Sequence, residues 1–281
     1  MSNQAIDLLG LELQHPVLVS SGPMGDTPNS INMMLEHGAA AVVTKTIAGV
    51  KSLSKKIVYT NNMVFNKDGY SRKNLEEWYK NLETLRGKNI IANIFADNPE
   101  NLSEIGKNVS DHGAKVIELC LSCPTRDCEP ICFNLELLKA FCKKVRHEVD
   151  IPIIVKLMLS TSGDFNRKMV ETVNDLGIDG ISVSDSLPAI FIDNNANAMS
   201  HSSGGLSGEF MKPLVLKFLY DIKDIRITKI AIGGVNTGKD IYDYLNYGAA
   251  AVGLCSTILL HGSSQIKKIR DEYSKLRREV L

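Results

Sequence analysis

Eight short runs of apolar, mostly β-branched residues recur along this 281-residue chain, and amphipathic stretches with helical periodicity separate them. Within each run the apolar residues are consecutive rather than alternating, which is typical of parallel strands covered on both faces. Eight strand-then-helix units predict a closed (β/α)8 barrel, the TIM barrel of the α/β class. The predicted strands are Val17–Ser21, Ala40–Thr46, Ile90–Ile94, Val116–Leu121, Ile153–Leu157, Gly180–Ser184, Lys229–Gly233 and Ala251–Leu254.

The competing architecture is an open, doubly wound sheet. Its nucleotide-binding members carry a glycine fingerprint after the first strand, and the segment Ser21–Gly25 does not match that fingerprint. The length suits one barrel of about 250 residues with short additions. Because the chain contains no internal repeat, low-complexity segment or linker, we predict a single domain over 1–281, with 263–281 as a C-terminal helix.

Charge and hydropathy indicate which kinds of binding partner the chain can have. Thirty-two basic and thirty-two acidic residues cancel, so no overall positive field would attract nucleic acid or an anionic membrane. No apolar run reaches the roughly 18 residues of a membrane span, and the first residues lack the pattern of a signal peptide. The sequence therefore predicts a cytoplasmic protein that binds a small molecule, with neither nucleic acid nor membrane as a partner.

Glycines and lysines stand where the predicted strands end. Gly233 and Gly234 follow the seventh strand, and barrels often bind phosphate there because glycine lets backbone amides approach closely. Lys45 and Lys156 end the second and fifth strands within apolar runs, where a buried ammonium requires an anionic partner. The pattern favours a phosphate-bearing ligand at the barrel mouth. The alternatives are a simple tight turn at the glycines and lysines that extend to solvent at the rim.

Four of the six cysteines lie in one stretch, at Cys120, Cys123, Cys128 and Cys132. Cys123 follows the fourth strand, where a thiol can exchange a proton with a substrate over the barrel mouth. A buried structural cysteine is the alternative. The spacing is a poor match to zinc or iron–sulfur templates, and a metal would occupy the thiol, so no metal site is predicted. A redox-sensitive loop also remains open.

Several short motifs appear in a characteristic order along the barrel, and together they resemble the dihydroorotate dehydrogenase family. The similarity is to its cysteine-base class and extends to dihydropyrimidine dehydrogenase. It covers about Leu8 to Gly262. The matching segments are Ser20–Gly22, Val43–Thr46, Asn66–Gly69, Ala92–Ile94, Glu118–Pro124, Val155–Leu157, Gly204–Gly208 with Lys212-Pro213, Gly233-Gly234 and Ser256-Thr257.

The resemblance implies an FMN-dependent oxidoreductase of pyrimidine metabolism that acts on a CH–CH bond of dihydroorotate or a related dihydropyrimidine ring. Hydride would pass to the flavin and a proton to Cys123, with Lys156 beside the flavin edge that becomes negative on reduction. It also implies a homodimer. Because the barrel has no nucleotide fingerprint for a second cofactor, reduced flavin must pass its electrons either to a small acceptor in the same pocket or to an electron-transfer partner protein. The implied FMN-binding residues are Ser21, Gly22, Lys45, Thr46, Asn93, Lys156, Gly205, Gly233, Gly234, Ser256 and Thr257.

The substrate pocket departs from the family pattern, in which several asparagines face the pyrimidine ring. Asn66 is retained, but Cys120, Thr125 and the pair Asp185-Ser186 stand where asparagines or an Asn-Thr pair are expected. An ionised aspartate only accepts hydrogen bonds and a thiol forms weak ones. A substrate that bears an amine or lacks the carboxylate is therefore one hypothesis. The expected substrate-binding residues are Lys45, Asn66, Cys120, Thr125, Asp185 and Ser186.

Two readings from other functional classes remain. In one, Lys156 forms a Schiff base in an aldolase or isomerase barrel whose glycine loops bind a sugar phosphate. In the other, the barrel is a non-catalytic binding or assembly subunit. Neither explains why Ser122–Pro124 and Gly204–Gly208 occur at their positions.

Overall fold

The computed structural model describes residues 5–50, 56–60, 62–123, 129–193 and 200–280. In these residues the strands are β1 (Ile6–Leu8), β2 (Leu11–Leu13), β3 (Val17–Val19), β4 (Ala41–Val43), β5 (Ile47–Ala48), β6 (Ile57–Tyr59), β7 (Met63–Asn66), β8 (Ile90–Phe95), β9 (Ile117–Cys120), β10 (Ile153–Leu157), β11 (Gly180–Val183), β12 (Leu187–Asp193), β13 (Ser200–Gly208), β14 (Thr228–Ile232) and β15 (Ala251–Leu254). The helices are α1 (Pro28–Glu36), α2 (Leu75–Thr84), α3 (Pro99–Asp111), α4 (Leu135–Glu148), α5 (Gly163–Asp175), α6 (Met211–Asp221), α7 (Gly238–Asn246), α8 (Ser256–His261) and α9 (Ser264–Val280), with short 3-10 turns at Pro23–Gly25 and Ile131–Phe133.

Eight parallel strands close into a barrel flanked by helices. Going around the barrel the order is β3, β4, β8, β9, β10, β11, β14 and β15, and β15 pairs with β3 to close it. All eight predicted strands are confirmed, and the prediction of a single-domain (β/α)8 barrel is confirmed with them. Seven of these strands are buried along their whole length, as in β8 and β10, and β14 is buried except for half-buried Thr228, because helices cover the outside and side chains fill the inside.

Local sequence signals fix where the helices begin. In α2 the Asn74 side chain accepts a hydrogen bond from the Glu77 amide at 2.9 Å, and the Glu77 carboxylate accepts one from the Asn74 amide at 2.9 Å. Thr27 and Thr237 form similar capping boxes before α1 and α7. Each cap contributes about 1 kcal/mol by satisfying amides that the helix leaves unpaired. Such caps end each loop at a defined point next to the barrel mouth.

The amino-terminal end of the barrel is closed by an apolar plug. The antiparallel hairpin of β1 and β2 places Leu8, Leu11 and Leu13 against the lower interior of the barrel, where they pack with residues such as Ile154 and Ile230. Since this end is filled, a ligand must enter at the carboxyl ends of the strands, which is where barrel enzymes build their sites. In the described residues, no helix has both the length and the apolar character needed to cross a membrane.

A second, four-stranded antiparallel sheet projects from the barrel mouth, in the order β12, β13, β7 and β6. None of these four strands was predicted from the sequence: β6 and β7 lie between the second and third predicted barrel strands, and β12 and β13 lie between the sixth and seventh. The strand signal was weak because β13 is rich in serine and glycine, residues with low strand propensity. Pairing between the two insertions holds the sheet together and brings Asn66 opposite Gly205.

Candidate active site

A polar layer lies inside the upper barrel, above the apolar plug. Glu118 on β9 accepts a hydrogen bond from the Ser182 hydroxyl at 2.6 Å and another from the Asn93 side-chain amide. All three side chains are buried. The Asn93 Oδ1 atom has no hydrogen-bond partner among the described residues. Because an unpaired buried acceptor is costly, this atom is a candidate contact for an N–H or O–H group of a ligand.

Lys156, which is buried, and Asp185, which is partly exposed, form an ion pair directly above this layer, with 3.5 Å between Nζ and Oδ2. Burial is the largest single influence on the pKa of Lys156 and would lower it, but the negative charge of Asp185, together with smaller contributions such as that of Glu118, raises that pKa overall. In the same way burial opposes ionisation of Asp185, while Lys156 and hydrogen bonds from Ser122 and Ser186 hold its pKa below the ordinary value. Both groups are therefore charged at neutral pH.

Cys123 lies beside this ion pair. Its Sγ is 3.1 Å from Sγ of Cys120, and the two sulfurs and an Asp185 carboxylate oxygen all lie within 4.8 Å of one another. Cys120 is fully buried and Cys123 partly exposed. The hydrogen bond with Cys120, burial and the charge of Asp185 raise the pKa of Cys123 well above its ordinary value, while Lys156 opposes that rise. Cys123 therefore holds its proton at neutral pH.

A second ion pair stands at the end of β4. Lys45 Nζ lies 2.6 Å from Asp68 Oδ2, and both side chains are largely buried. Cys255 follows β15 and lies close enough to Lys156 and Lys45 for both ammonium groups to act on its thiol. Burial is the dominant effect and raises the pKa of Cys255 to about 11, while the two lysines lower it. The predicted lysines therefore face the same barrel mouth rather than solvent at the rim.

The projecting sheet supplies the outer wall of the site. Asn66 donates a hydrogen bond to the Gly205 carbonyl at 3.3 Å. A Cβ at Gly205 would stand 2.0 Å from the Ser186 hydroxyl, so these three predicted residues form one group. The structure thus places Gly205 against the expected substrate-binding residues. Tyr70 stacks on Phe95 nearby, with ring centroids 4.6 Å apart.

Glycines form the opposite wall. Gly233 and Gly234 follow β14 with φ of 126° and 68°, a backbone region that favours glycine. A Cβ at Gly234 would lie 2.6 Å from the Lys212 amide nitrogen, so that position has no room for a side chain. Thr257, at the start of α8, has a buried hydroxyl with no partner within the described part of the chain.

The remaining predicted residues are also at strand ends. Ser21 and Gly22 follow β3, and a Cβ at Gly22 would contact Sγ of Cys255 at 3.1 Å. Thr46 is buried and accepts a hydrogen bond from the Ser71 amide through its carbonyl. Ser256 begins α8 next to Thr257. Thr125 and Cys128 lie outside the described residues.

Sequence reasoning missed three contributors to the site. Glu118, Ser122 and Asp68 were not predicted as functional, although Glu118 is the one charged residue in the apolar run that forms β9. A charged side chain in such a run is costly unless it is paired inside the barrel, and that cost was the available signal. Asp68 could not be singled out because its pairing with Lys45 depends on how the intervening segment folds back.

Comparison with known proteins agrees with this geometry. The family model described as dihydroorotate dehydrogenase matches residues 4–276. Relatives named dihydroorotate dehydrogenase B (NAD(+)), catalytic subunit, include that of Methanocaldococcus jannaschii, 28% identical over 95% of this chain and 90% of the relative. The protein of that name from Thermococcus kodakarensis is 30% identical over 98% of this chain and 93% of its own length.

A solved structure shares the fold. The crystal structure of dihydroorotate dehydrogenase from Eimeria tenella in complex with ferulenol superimposes with a TM-score of 0.81 at 18% identity, and the match covers 99% of this chain and 85% of that one. The Schiff-base and non-catalytic readings are not favoured by these similarities. The chain belongs to the dihydroorotate dehydrogenase family, and it is an FMN-dependent oxidoreductase that acts on a CH–CH bond.

Proposed function

We propose that Cys123 is the general base with which this chain oxidises dihydroorotate, and that Lys156 is its electrostatic partner. The observation that supports this most directly is a thiol at the barrel mouth within the field of a buried ammonium. Cys123 as a thiolate would take a proton from one ring carbon. FMN, when bound, supplies the acceptor for the hydride that leaves the adjacent carbon.

The residues present suit FMN. Asn93 Oδ1 and the Thr257 hydroxyl are buried and unpaired within the described residues, as expected of groups that contact a ligand. Gly233 and Gly234 expose backbone amides where barrels commonly bind phosphate. Lys156 offers a positive charge that would stabilise the reduced cofactor. The proposed FMN-binding set is the one named above on the basis of family resemblance.

The pocket favours a pyrimidine over an amine-bearing substrate. Asp185 already accepts hydrogen bonds from the Ser122 hydroxyl at 2.7 Å and the Ser186 amide at 2.8 Å, in addition to the Lys156 ion pair. Its acceptor capacity is therefore largely used within the protein, and little remains for a substrate amine. Lys45 uses two of its three N–H donors on Asp68, and Asn66 uses one of its two on the Gly205 carbonyl, so each has one donor left for ring carbonyls or a carboxylate.

The proposal also covers the protein's binding partners, its oligomeric state and its location in the cell. The curated relatives are named as catalytic subunits of an NAD(+) enzyme. We therefore expect electrons to leave this chain through a partner protein. The homodimer and the cytoplasmic location implied by the sequence are parts of the same proposal, and similarity to dihydropyrimidine dehydrogenase stays a prediction. Size-exclusion chromatography with light scattering would test the dimer.

Anaerobic titration of the purified protein tests the substrate assignment. Dihydroorotate is expected to bleach the absorption band of bound FMN, whereas dihydrouracil and dihydrothymine are expected to do so much more slowly, because they lack the carboxylate that Lys45 would contact. Equal bleaching by all three would contradict selection of the carboxylate. A protein that binds FMN but is bleached by none would contradict the proposed substrate class.

The rate of this half-reaction is expected to rise with pH through the neutral and alkaline range. The reason is that the pKa of Cys123 is raised, so the thiolate needed as base is scarce at neutral pH and increases as pH rises. Stopped-flow reduction at a series of pH values measures this directly. A rate that is flat or falls between neutral and alkaline pH, with FMN still bound, would contradict the assignment of Cys123 as base.

A further inference from the structure

Cys120 and Cys123 are the closest pair of thiols in the described residues, and they lie at the mouth of the barrel. Their sulfurs are 3.1 Å apart, about 1 Å more than the length of a disulfide bond. Cys120 ends β9, and a tight turn through Leu121 and Ser122 returns the chain so that Cys123 meets it.

The two thiols differ in access. Cys120 is fully buried against the polar layer, whereas Cys123 is partly exposed at the barrel mouth where substrate would enter. A small oxidant that reaches the mouth therefore meets Cys123 first. Cys120 then lies next to the modified sulfur, in the position of a resolving thiol. Cys132 and Cys142 are buried, and neither belongs to this cluster.

A metal ion is the competing use of this cluster, since Cys120, Cys123 and Asp185 present three ligand atoms within 4.8 Å. The Lys156 ammonium, however, lies 3.5 Å from the same Asp185 carboxylate. A divalent cation bound there would face an adjacent positive charge in a buried environment, which is strongly unfavourable. The same ammonium opposes the rise in the pKa of Cys123, and the thiolate, which is the form that reacts with oxidants, becomes more abundant as pH rises.

We propose that Cys120 and Cys123 form a reversible disulfide in response to hydrogen peroxide, which switches the enzyme off. The Cys123 thiol loses its proton, the resulting thiolate attacks one peroxide oxygen, and the O–O bond breaks to give a sulfenic acid and hydroxide, which takes up that proton and leaves as water. The Cys120 thiol then attacks that sulfur, forming the S–S bond and releasing a second water. Both sulfurs are oxidised by one electron each and peroxide is reduced by two. A dithiol reductant reverses the reaction.

The loss of activity rests on the proposed function, because it requires Cys123 to be the catalytic base. The disulfide itself does not rest on it. Formation of the bond holds Cys123 sulfur against Cys120 and leaves it without a lone pair basic enough to accept a ring proton. Cys120 also protects Cys123 from irreversible oxidation. When Cys120 closes the disulfide rapidly, little sulfenic acid remains to be oxidised further to the sulfinic acid.

Tryptic peptides separate the relevant cysteines cleanly. Cleavage after Lys115 and Arg126 releases 116–126, which contains only Cys120 and Cys123, while 127–139 contains Cys128 and Cys132. The FMN-loaded protein is treated with hydrogen peroxide, alkylated with iodoacetamide and digested with trypsin, and the peptide masses are measured by mass spectrometry. The expected product is peptide 116–126 lighter by two hydrogen atoms and unalkylated. After treatment with dithiothreitol the same peptide should carry two alkyl groups.

Activity is followed in the same samples. Dihydroorotate oxidation is expected to fall at least about tenfold as the disulfide forms and to return with dithiothreitol. If the disulfide forms reversibly but the untreated protein does not oxidise dihydroorotate, the proposed function is contradicted, whereas the proposed Cys120–Cys123 disulfide is supported. An active protein whose peptide 116–126 stays fully alkylated after peroxide overturns the disulfide instead. A cross-link between 116–126 and 127–139, or equimolar bound zinc that blocks alkylation, overturns it as well.

Cys120→Ser provides the second test. Without a resolving thiol, peroxide is expected to convert Cys123 to the sulfinic acid, and dithiothreitol should no longer restore the peptide or whatever activity the variant has. Cys142→Ala is the matched control, because Cys142 lies in α4 away from the pair and should leave the response to peroxide as in the original chain. Reversible oxidation in Cys120→Ser equal to that of the control would overturn the pairing.

Discussion

Replacement of Cys123 by serine is expected to lower kcat for dihydroorotate oxidation by about 10²- to 10⁴-fold at neutral pH. Serine has nearly the same shape but is a far weaker acid, so the nearby Lys156 charge cannot produce a useful population of the ionised form. FMN content and the free energy of unfolding should change little, because Cys123 is only partly buried and its hydrogen bond to Cys120 is weak.

The readout is the single-turnover rate of anaerobic reduction, which isolates proton and hydride removal from later steps. Cys142→Ala serves as the control for loss of a thiol outside the site and should retain the original rate. The rise of rate with pH expected for the original chain should also disappear in Cys123→Ser. A rate in Cys123→Ser within about threefold of the original would mean that another group accepts the proton.

The barrel was predictable because its signal is repeated eight times in consecutive apolar residues. Strands such as β10 and β15 coincide with their predicted limits, since each is a short apolar run bounded by a turn. The four-stranded sheet was not predictable in the same way. Strand β13 owes its conformation to backbone pairing with β7 and β12 rather than to its own serines and glycines. Such tertiary pairing leaves no local pattern.

In the site, too, some residues could be predicted from local sequence and others could not. Lys45 and Lys156 could be predicted because a lysine in an apolar strand must find an anion. Which carboxylate pairs with each lysine could not be predicted, because it depends on how strands and loops distant in sequence are aligned with one another. Lys156 is the next-to-last residue of β10 and pairs with Ser182 on β11, which places Asp185 just beyond the end of β11 within reach of its ammonium. Asp68 reaches Lys45 only after the chain folds back through the projecting sheet.

Variants of the Lys156–Asp185 ion pair are expected to shift the two-electron midpoint potential of bound FMN in opposite directions. Lys156→Met preserves length but removes the positive charge, so the potential should fall by about 60 mV, ~2.8 kcal/mol for a two-electron couple. The rate of dihydroorotate oxidation should fall about 10²-fold with it. FMN binding should weaken as well, because Asp185 is left as an unpaired, largely buried carboxylate.

Asp185→Asn restores the neutral side chain of the family pattern and should raise the potential. Lys156 is expected to stay charged in this variant, because the Glu118 carboxylate still favours its protonated form. With the opposing carboxylate gone, its full charge acts on the reduced cofactor. The potentials are measured by spectroelectrochemistry on both variants and on Glu171→Gln, an exposed substitution far from the site. If both site variants lower the potential, Asp185 supports the pocket structurally rather than by neutralising Lys156, and the electrostatic role assigned to the ion pair is wrong.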